Sequence, residues 1–307
     1  MTNLTRRAAL GAAAAIPAAA MLVPATVRAD GHSDGPVQPK ARGVALGDMQ
    51  VTALLAGSAT RDGDMQGTFG MNVSAETFAE VSRDAFIPTD AATFFFTPTV
   101  VSTGDNLILF DTGLNAGGIT EALSAAGHAP EDITHVVITH MHGDHIGGLM
   151  VDGAPTFANA EYITGQTEFD HWSANPNDGY TAMVAPLAER FAFVEPDAEI
   201  APGVTAVNMF GHTPGHMGYR LDSGDRSLLL TADMANHYVW SLAHPDWEVS
   251  FDMDKAAATE TRRSVLGMVA AERMPMLGYH MPFPAMGYVE ADGNGFRWIP
   301  ESYQLML

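Results

Sequence analysis

Short apolar runs separated by glycine, proline and aspartate recur along most of the chain. Runs rich in β-branched and aromatic residues predict strands, and apolar residues three or four positions apart predict helices. The predicted strands are 50–56, 94–101, 106–110, 134–139, 191–194, 204–209, 217–221, 227–231, 276–279, 286–290 and 296–299. The predicted helices are 75–81, 118–126, 146–150, 165–172, 180–191 and 254–273, and the rest of 57–91 is predicted to be a loop.

The order of these elements predicts the fold class. Strands and helices alternate in the first half of the chain, whereas strands dominate the second half apart from one long helix. When two sheets pack together by their inner faces, helices are needed to cover the outer ones. We therefore predict an α+β fold with four layers, an αββα sandwich, formed by one catalytic domain over 46–307. Residues 30–45 are rich in Gly, Pro, Asp and Ser and are expected to be a flexible lead-in.

The first 29 residues differ in composition from the rest. Arg6 and Arg7 precede an alanine-rich apolar run interrupted by Pro17, and small residues lead up to Ala29. This order resembles a twin-arginine export signal that is cleaved after Ala29. An uncleaved N-terminal anchor is the alternative. We expect a protein exported in the folded state, periplasmic or secreted, with no membrane contact after cleavage.

Charge and cysteine content exclude several classes of function. The formal net charge is −21 over 307 residues, and removal of 1–29 takes away three arginines and no acid. An acidic surface repels nucleic acid and anionic membranes, so neither is expected as a partner. The sequence contains no cysteine, which excludes thiolate ligands, a cysteine nucleophile and disulfides.

The segment HMHGDH at 140–145 concentrates metal-ligand chemistry. Neutral imidazole and carboxylate are the usual ligands of zinc and similar divalent ions. Residues two apart on an extended chain face the same side, so His140 and His142 can converge on one ion. Gly143 allows the chain to turn. Asp144 and His145 then approach from another direction, where they could bind a second ion.

Three later segments offer the missing ligands. GHTPGH at 211–216 lies between two predicted strands and contains His212 and His216. His216 enters a strand that anchors its backbone and is the expected ligand, whereas His212 precedes a Thr-Pro step and is expected to support the ligands from outside. Asp233 and His280 each follow a buried strand. A carboxylate at such a position can bridge two cations, which offsets the cost of burying it.

Taken together, these motifs resemble the metallo-β-lactamase superfamily of hydrolases. The resemblance rests on Asp111-Thr112-Gly113, on the 140–145 and 211–216 segments, and on Asp233 and His280, in the order of the family. Four segments are similar to the methyl parathion hydrolase branch: ITHMH at 138–142, GGLM at 147–150, HMPFP at 280–284 and GFRWIP at 295–300. Members of that branch hydrolyse organophosphate triesters and, in several cases, lactones. They tend to dimerise, which favours a homodimer here.

The resemblance implies a dinuclear metal site. Two divalent ions are expected as cofactors, zinc before manganese, iron or cobalt. A hydroxide held between them would attack the substrate, and Asp233, or alternatively Asp144, would pass a proton to the leaving group. The implied ligands are His140, His142 and His216 for one ion and Asp144, His145 and His280 for the other, with Asp233 bridging and Asp111 orienting a ligand histidine.

The function predicted from these residues is hydrolysis of a small neutral ester, either a lactone or an organophosphate triester. The alternatives are a β-lactam or thioester hydrolase, and a di-iron oxidoreductase on the same fold. Phe95, Trp172 and Tyr238 are candidates for an apolar substrate pocket because they border the motifs. Superfamily lactonases often carry a tyrosine shortly after the bridging aspartate, and Asn236 occupies that spacing here.

Overall fold

The structure, a computed structural model, describes residues 39–302. The proposed export signal and most of the lead-in fall within 1–38 and lie outside the described residues. The strands are β1 (Ala41–Leu46), β2 (Met49–Leu54), β3 (Gly57–Asp62), β4 (Ala91–Phe96), β5 (Thr99–Ser102), β6 (Leu107–Phe110), β7 (His135–Ile138), β8 (Met150–Val151), β9 (Ala154–Pro155), β10 (Glu161–Gly165), β11 (Phe191–Val194), β12 (Glu199–Ala201), β13 (Val204–Asn208), β14 (Met217–Ser223), β15 (Arg226–Ala232), β16 (Met276–Gly278), β17 (Met286–Asp292) and β18 (Gly295–Pro300).

The helices lie between these strands. The α-helices are α1 (Ala75–Asp84), α2 (Ala116–Ala125), α3 (Gly143–Ile146), α4 (Gln166–Ala174) and α5 (Lys255–Glu272). Shorter helical turns span Pro130–Asp132, Tyr180–Val184, Ala185–Arg190 and Tyr238–Ala243. None of the helices in the described range has both the length and the apolar character needed to cross a bilayer.

Two seven-stranded sheets form the centre of the molecule. The first has the order β1-β2-β5-β6-β7-β10-β11, and the second runs from β12 to β18 in chain order. In the first sheet β6, β7, β10 and β11 are parallel, and in the second only β15 and β16 are parallel. Because the carboxyl ends of parallel strands meet at one edge, residues that follow these strands are brought together.

The main core lies between the two sheets. It joins apolar residues of the first sheet, such as Val101 and Val137, to residues of the second, such as Tyr219 and Leu230. A second core packs α2 against the outer face of the first sheet, and α5 packs on the second sheet. Asp254 caps the start of α5 by accepting from the backbone N–H of Ala257. This arrangement confirms the predicted α+β, four-layer αββα sandwich.

A smaller apolar cluster covers one edge of the sandwich. The β3–β4 hairpin contributes Phe94, the segment that connects its two strands contributes Phe69 and, within α1, Phe78, and the segment 238–251 contributes Trp240 and Trp247. The Trp240 ring stacks on Phe78, and its Nε1–H donates to the buried hydroxyl of Ser82. These contacts fix the hairpin and the 238–251 segment in one layer, which we call the cap.

Several element boundaries differ from the sequence predictions. Strand β1 begins at Ala41, so residues 41–45, which were predicted to belong to the flexible lead-in, are part of the first strand instead. The predicted strand 94–101 is two strands separated by Pro98, because proline cannot donate to a ladder. Strand β3 was predicted to be loop because its residues are exposed except for half-buried Gly57. The helix predicted at 146–150 begins at Gly143 and ends at Ile146.

Candidate metal centre

Six of the seven predicted metal ligands lie at the carboxyl ends of parallel strands, and His216 instead precedes the antiparallel strand β14. His140, His142 and His145 follow β7, and Asp111 follows β6 in the same sheet. Asp233 follows β15 and His280 follows β16 in the other sheet. Ala232 adopts a φ of 42° immediately before Asp233, a conformation that non-glycine residues rarely take. The strand therefore turns sharply where the Asp233 carboxylate enters the site.

Two groups of potential ligand atoms form at this edge. Within each group, all the ligand atoms lie within 4.8 Å of one another. The first group, as we call it below, is His140, His142 and His212. The second group is Asp144, His145, Asp233 and His280.

In the first group, three ring nitrogens converge. The Nδ1 of His142 lies 3.2 Å from the Nε2 of His140 and 3.0 Å from the Nε2 of His212. The other nitrogen of His140 faces the Thr139 hydroxyl, and that of His212 donates to Asp252 Oδ1 at 3.0 Å. The Nε2 atoms of both histidines are therefore left with lone pairs that point at the same place.

In the second group, Asp233 lies between the histidines. Its Oδ2 is 3.1 Å from the Nε2 of His280, and its Oδ1 is 3.2 Å from the Nε2 of His145. Asp233 Oδ2 is also 3.4 Å from the Nε2 of His212, so this carboxylate faces both groups. Asp144 completes the set, with Oδ2 3.3 Å from the Nε2 of His280.

The positions of His212 and His216 are the reverse of the prediction. His216 is fully buried, its Nδ1 donates to the carbonyl of Met209, and its Nε2 accepts from the backbone N–H of Asp233. Both of its nitrogens are occupied by backbone groups, so His216 supports Asp233 from behind. His212 enters the first group instead, because Asp252 orients its ring.

Several groups behind the ligands fix their orientation. Asp111 accepts from His145 Nδ1–H at 2.8 Å and from the hydroxyl of Thr139 at 2.9 Å, which agrees with its predicted orienting role. The Nδ1 of His280 donates to the carbonyl of Phe95. The Tyr279 hydroxyl donates to the carbonyl of Asp144 at 2.6 Å. These bonds leave the Nε2 of both His145 and His280 free for a ligand.

The residues that support His212 from behind were not predicted from the sequence. Asp252 is fully buried at its side chain and forms an ion pair with the equally buried Arg262, 2.7 Å apart. Arg262 also donates to the carbonyls of Pro245 and Trp247, which ties the cap to α5. The only signal in the sequence was an arginine at an inward position of the α5 pattern.

Burial and charge separate the two groups. Burial, with neighbouring histidines, lowers the pKa of His140 well below its usual range and that of His142 to about 3. Burial alone would also lower the pKa of His145 and His280, but the nearby carboxylates outweigh it. They raise the pKa of His145 well above its usual range and that of His280 to about 10. His140 and His142 therefore offer neutral imidazoles to the first group, whereas the second group offers carboxylates whose charge a cation could balance.

Buried atoms without partners test whether metal ions fit this site. Among the described residues, His145 Nε2 and Asp233 Oδ1 are both buried and, although they lie 3.2 Å apart, neither forms a hydrogen bond with the other or with any other group. Such orphan atoms are costly unless a further group satisfies them. In a tetrahedral zinc site with nitrogen bonds of about 2.0–2.1 Å, neighbouring ligand atoms are about 3.3 Å apart. The nitrogen separations of the first group, 3.0 and 3.2 Å, are close to that spacing. The residues present fit two divalent ions.

A cavity of about 540 Å³ opens onto these ligands. Phe94, Phe96 and Phe251 form its apolar wall, and Thr60 and Arg61 of β3 lie at its polar side. Phe94 and Phe96 lie edge-on to the His280 ring, with centroids 5.8 and 5.6 Å apart. The cap thus supplies one wall of the cavity, and the ligands supply the other.

The three predicted pocket residues all lie within residues 39–302, and none of them lines this cavity. Phe95 lies between Phe94 and Phe96 on β4, so its side chain points to the opposite face of the hairpin. Trp172 donates to Glu168 and packs in the core outside the first sheet. Tyr238 packs beside the main core and the cap cluster. The prediction named the right strand but the wrong face of it.

Comparison with known proteins agrees with this geometry. The sequence profile of the metallo-beta-lactamase superfamily matches residues 97–275, more than half of the chain. An N-acyl homoserine lactonase of Bacillus sp. is 31% identical over 116 residues, which is 38% of this chain and 44% of that protein. The chain therefore aligns with less than half of the length of this relative.

Solved structures share the fold over most of the described residues. AidC, a dizinc quorum-quenching lactonase, superposes with a TM-score of 0.78 at 24% identity, covering 86% of this chain and 99% of AidC. The hydrolase AbOPH of the beta lactamase superfamily superposes with a TM-score of 0.79 at 24% identity, covering 87% of this chain and 99% of AbOPH. With the profile match and the predicted order of motifs, these findings establish that the chain belongs to the metallo-beta-lactamase superfamily.

Proposed function

We propose that this protein is a hydrolase that depends on two divalent metal ions, zinc before manganese, iron or cobalt, and cleaves a small ester, with a lactone as the preferred substrate. The observation that carries the proposal is the meeting of the two ligand groups at Asp233, at the base of a cavity with an aromatic wall. His140, His142 and His212 would hold one ion, and Asp144, His145 and His280 the other. Asp233 would contact both.

Bound ions would polarise the substrate carbonyl and lower the pKa of a bound water. The chain itself supplies the rest of the chemistry. Asp233 is the candidate for carrying a proton to the leaving group, since its Oδ2 lies near His212, His280 and the cavity. Asn236 donates to the same Oδ2 at 3.0 Å and holds the carboxylate in place. Asp144 also lines the cavity and is the alternative proton carrier.

The walls of the cavity support a substrate with an apolar arm and a polar ester. Phe94, Phe96 and Phe251 offer aromatic surface to an acyl chain or an aryl leaving group. The lactonase activity of the Bacillus relative favours the lactone. An organophosphate triester with an aryl leaving group is the second candidate, and the aromatic wall favours it.

A hydrolysis panel on one preparation tests the proposal. N-acyl lactones, an aryl phosphotriester, a β-lactam and a thioester are offered to the protein before and after chelation, and metal content is measured on the same sample. We expect about two zinc ions per chain and lactone turnover that chelation removes and zinc restores. Iron with a redox-active absorption band would favour the di-iron oxidoreductase instead, and inertness toward every substrate would refute the hydrolase.

We also propose export of the folded protein by the twin-arginine route to the periplasm or beyond, on the basis of the sequence of 1–29 alone. Replacing Arg6 and Arg7 together by lysine should retain the protein in the cytoplasm. Cell fractionation checks this, and an unchanged distribution of the double variant would contradict it. A homodimer is proposed from the resembled branch, and sedimentation analysis would test it.

A further inference from the structure

Glu168 is a buried carboxylate that the proposed chemistry does not use. It lies in the first turn of α4 and is fully inaccessible to solvent. Within residues 39–302 no cationic side chain forms an ion pair with it, although it accepts four hydrogen bonds. A buried carboxylate without a cation is costly unless donors surround it. Its donors therefore indicate its role.

The donors come from the two segments that supply the first group. Oε1 accepts from the backbone N–H of Met141, the residue between His140 and His142, at 2.9 Å. Oε2 accepts from the hydroxyl of Thr213 at 2.7 Å and from the backbone N–H of Gly215 at 3.0 Å. One carboxylate thus joins the segment after β7 to the segment that carries His212.

The remaining contacts hold Glu168 itself in place. The fourth donor is the Nε1–H of Trp172, one turn later in α4, at 2.7 Å. A Cβ at Gly215 would lie 2.1 Å from the backbone nitrogen of Glu168, so the 212–216 segment runs directly against the start of α4. Only glycine allows so close an approach. The start of α4 also favours a negative charge, because the helix dipole is positive there.

We propose that Glu168 is a positioning residue that fixes the distance between the 140–142 and 212–215 segments and thereby sets the affinity of the first group for its ion. The inference rests on the proposed metal binding. It applies to the first group because the second group is held by other residues. Asp111 orients His145, the carbonyl of Phe95 orients His280, and Tyr279 holds the backbone of Asp144.

The chemistry of the carboxylate makes Glu168→Gln a sharp test. All four partners are donors, and three of them are N–H groups that cannot become acceptors. A glutamine oxygen can replace only one carboxylate oxygen, and its NH₂ would then face an N–H of either Met141 or Gly215. The side chain keeps its size, but one of the two segments loses its anchor. Glu161→Gln, an exposed glutamate on β10, is the matched control for loss of charge.

The experiment measures zinc affinity by competition with a chromophoric chelator in the wild type, Glu168→Gln and Glu161→Gln. We expect one of the two ions to bind about 10- to 100-fold more weakly in Glu168→Gln, and both to bind normally in Glu161→Gln. The visible spectrum of the Co²⁺-loaded protein identifies the ion. Variants His212→Asn and His280→Asn provide reference spectra for disturbance of the first and second groups, and Glu168→Gln should match His212→Asn.

Equal weakening of both ions, no weakening, or a spectrum like that of His280→Asn would overturn the role of Glu168. Should Glu168→Gln fail to fold, Thr213→Val removes a single donor and is expected to weaken the same ion by a smaller factor. An unchanged affinity in Thr213→Val would then overturn the inference. Absence of divalent metal from the loaded wild type refutes the proposed function itself, whereas two ions bound equally well by wild type and Glu168→Gln refute only this inference.

Discussion

His145 donates its Nδ1–H to Oδ2 of Asp111 across 2.8 Å, and this bond determines which nitrogen of its ring is free. The same carboxylate accepts from the backbone N–H and the hydroxyl of Thr139, whose oxygen faces Nδ1 of His140. Asp111 therefore orients His145 directly and His140 through Thr139. One buried carboxylate supports a ligand in each group.

Replacing Asp111 by asparagine should weaken the binding of at least one of the two ions. The amide keeps one acceptor oxygen, but its NH₂ would face either His145 Nδ1–H or the donors of Thr139, so at least one ligand ring loses its orientation. We expect zinc affinity to fall about 10- to 100-fold. Competition with a chromophoric chelator measures it, and Thr139→Val is the control that should affect mainly the ion of the first group. Unchanged affinity in Asp111→Asn would show that Asp111 does not orient the ligands.

The two histidines of the 211–216 segment should give opposite results when replaced. His212→Asn removes a nitrogen from the first group, so we expect one ion fewer per chain. His216→Asn breaks the bonds to Met209 and Asp233, and the unpaired backbone groups should lower the free energy of unfolding by about 1–3 kcal/mol while two ions remain. Metal analysis and urea unfolding of the metal-free proteins check this pair. If His216→Asn lost an ion and His212→Asn did not, His216 would be the ligand, as predicted from the sequence.

The exchanged roles of His212 and His216 show which feature of the site could not be predicted from the sequence. The ligand types and the segments that carry them follow from residue chemistry, and the structure brings six of the seven predicted ligands together. Which histidine of 211–216 faces the site depends on residues far along the chain. Asp252 selects His212, and the backbone of Asp233 occupies His216. No local pattern around either histidine encodes those contacts.

The same distinction between local pattern and distant contacts applies to the fold. Strands with buried apolar runs, such as β6, β7 and β15, were predicted within one or two residues because burial on both faces demands such runs. Strand β3 was missed because its residues are exposed except for half-buried Gly57, so no buried face requires the apolar residues that would mark a strand. The face of β4 that lines the cavity could be determined only from its pairing with β3. The sequence pattern therefore predicted the sandwich, but it did not predict the surfaces that the cap forms.

Removal of metal should destabilise the protein. Without a cation, the Nδ1 of His142 lies only 3.2 Å from the Nε2 of His140 and 3.0 Å from that of His212, and His145 Nε2 and Asp233 Oδ1 form no hydrogen bond. An ion present at about 1,000 times its dissociation constant adds about 4 kcal/mol to the free energy of unfolding. We expect a higher urea midpoint with zinc than with chelator, reversed when zinc is restored. Identical midpoints would indicate that the site binds no metal in the folded state.

The two faces of β4 should differ in their effect on substrate binding. Phe94 lines the cavity, and its replacement by alanine removes apolar contact worth about 1–2 kcal/mol, so KM for a long-chain acyl lactone should rise about 5- to 30-fold. Phe95→Ala is the matched control on the same strand. It keeps the backbone carbonyl that accepts from His280, so KM should stay within about twofold of the wild type. Steady-state kinetics with short and long acyl chains measure both variants. An equal rise of KM in the two variants would mean that the substrate does not bind against Phe94.

His237 should make stability depend on pH through a group outside the metal centre. Its Nδ1 accepts from the backbone N–H groups of Val239 and Trp240 at the start of a helical turn, and its ring stacks on Trp240. Burial lowers its pKa to about 3 from an ordinary 6.5. Below about pH 6.5 the His237 imidazole binds a proton in the unfolded chain but stays neutral in the folded protein. The free energy of unfolding therefore falls as the pH falls toward 3.

His237→Asn isolates this contribution. Asparagine keeps a side-chain oxygen that can accept from the same two N–H groups, but it does not titrate in this range. Loss of stacking should lower stability by a constant amount, whereas the advantage of the wild type should shrink by up to about 1.4 kcal/mol per pH unit below about pH 6.5. Urea unfolding of both metal-free proteins between about pH 7.5 and about pH 5 gives the difference at each pH. Because the metal ligands titrate in both proteins alike, they cancel in that difference, and parallel curves would mean that His237 is protonated equally in the folded and unfolded states.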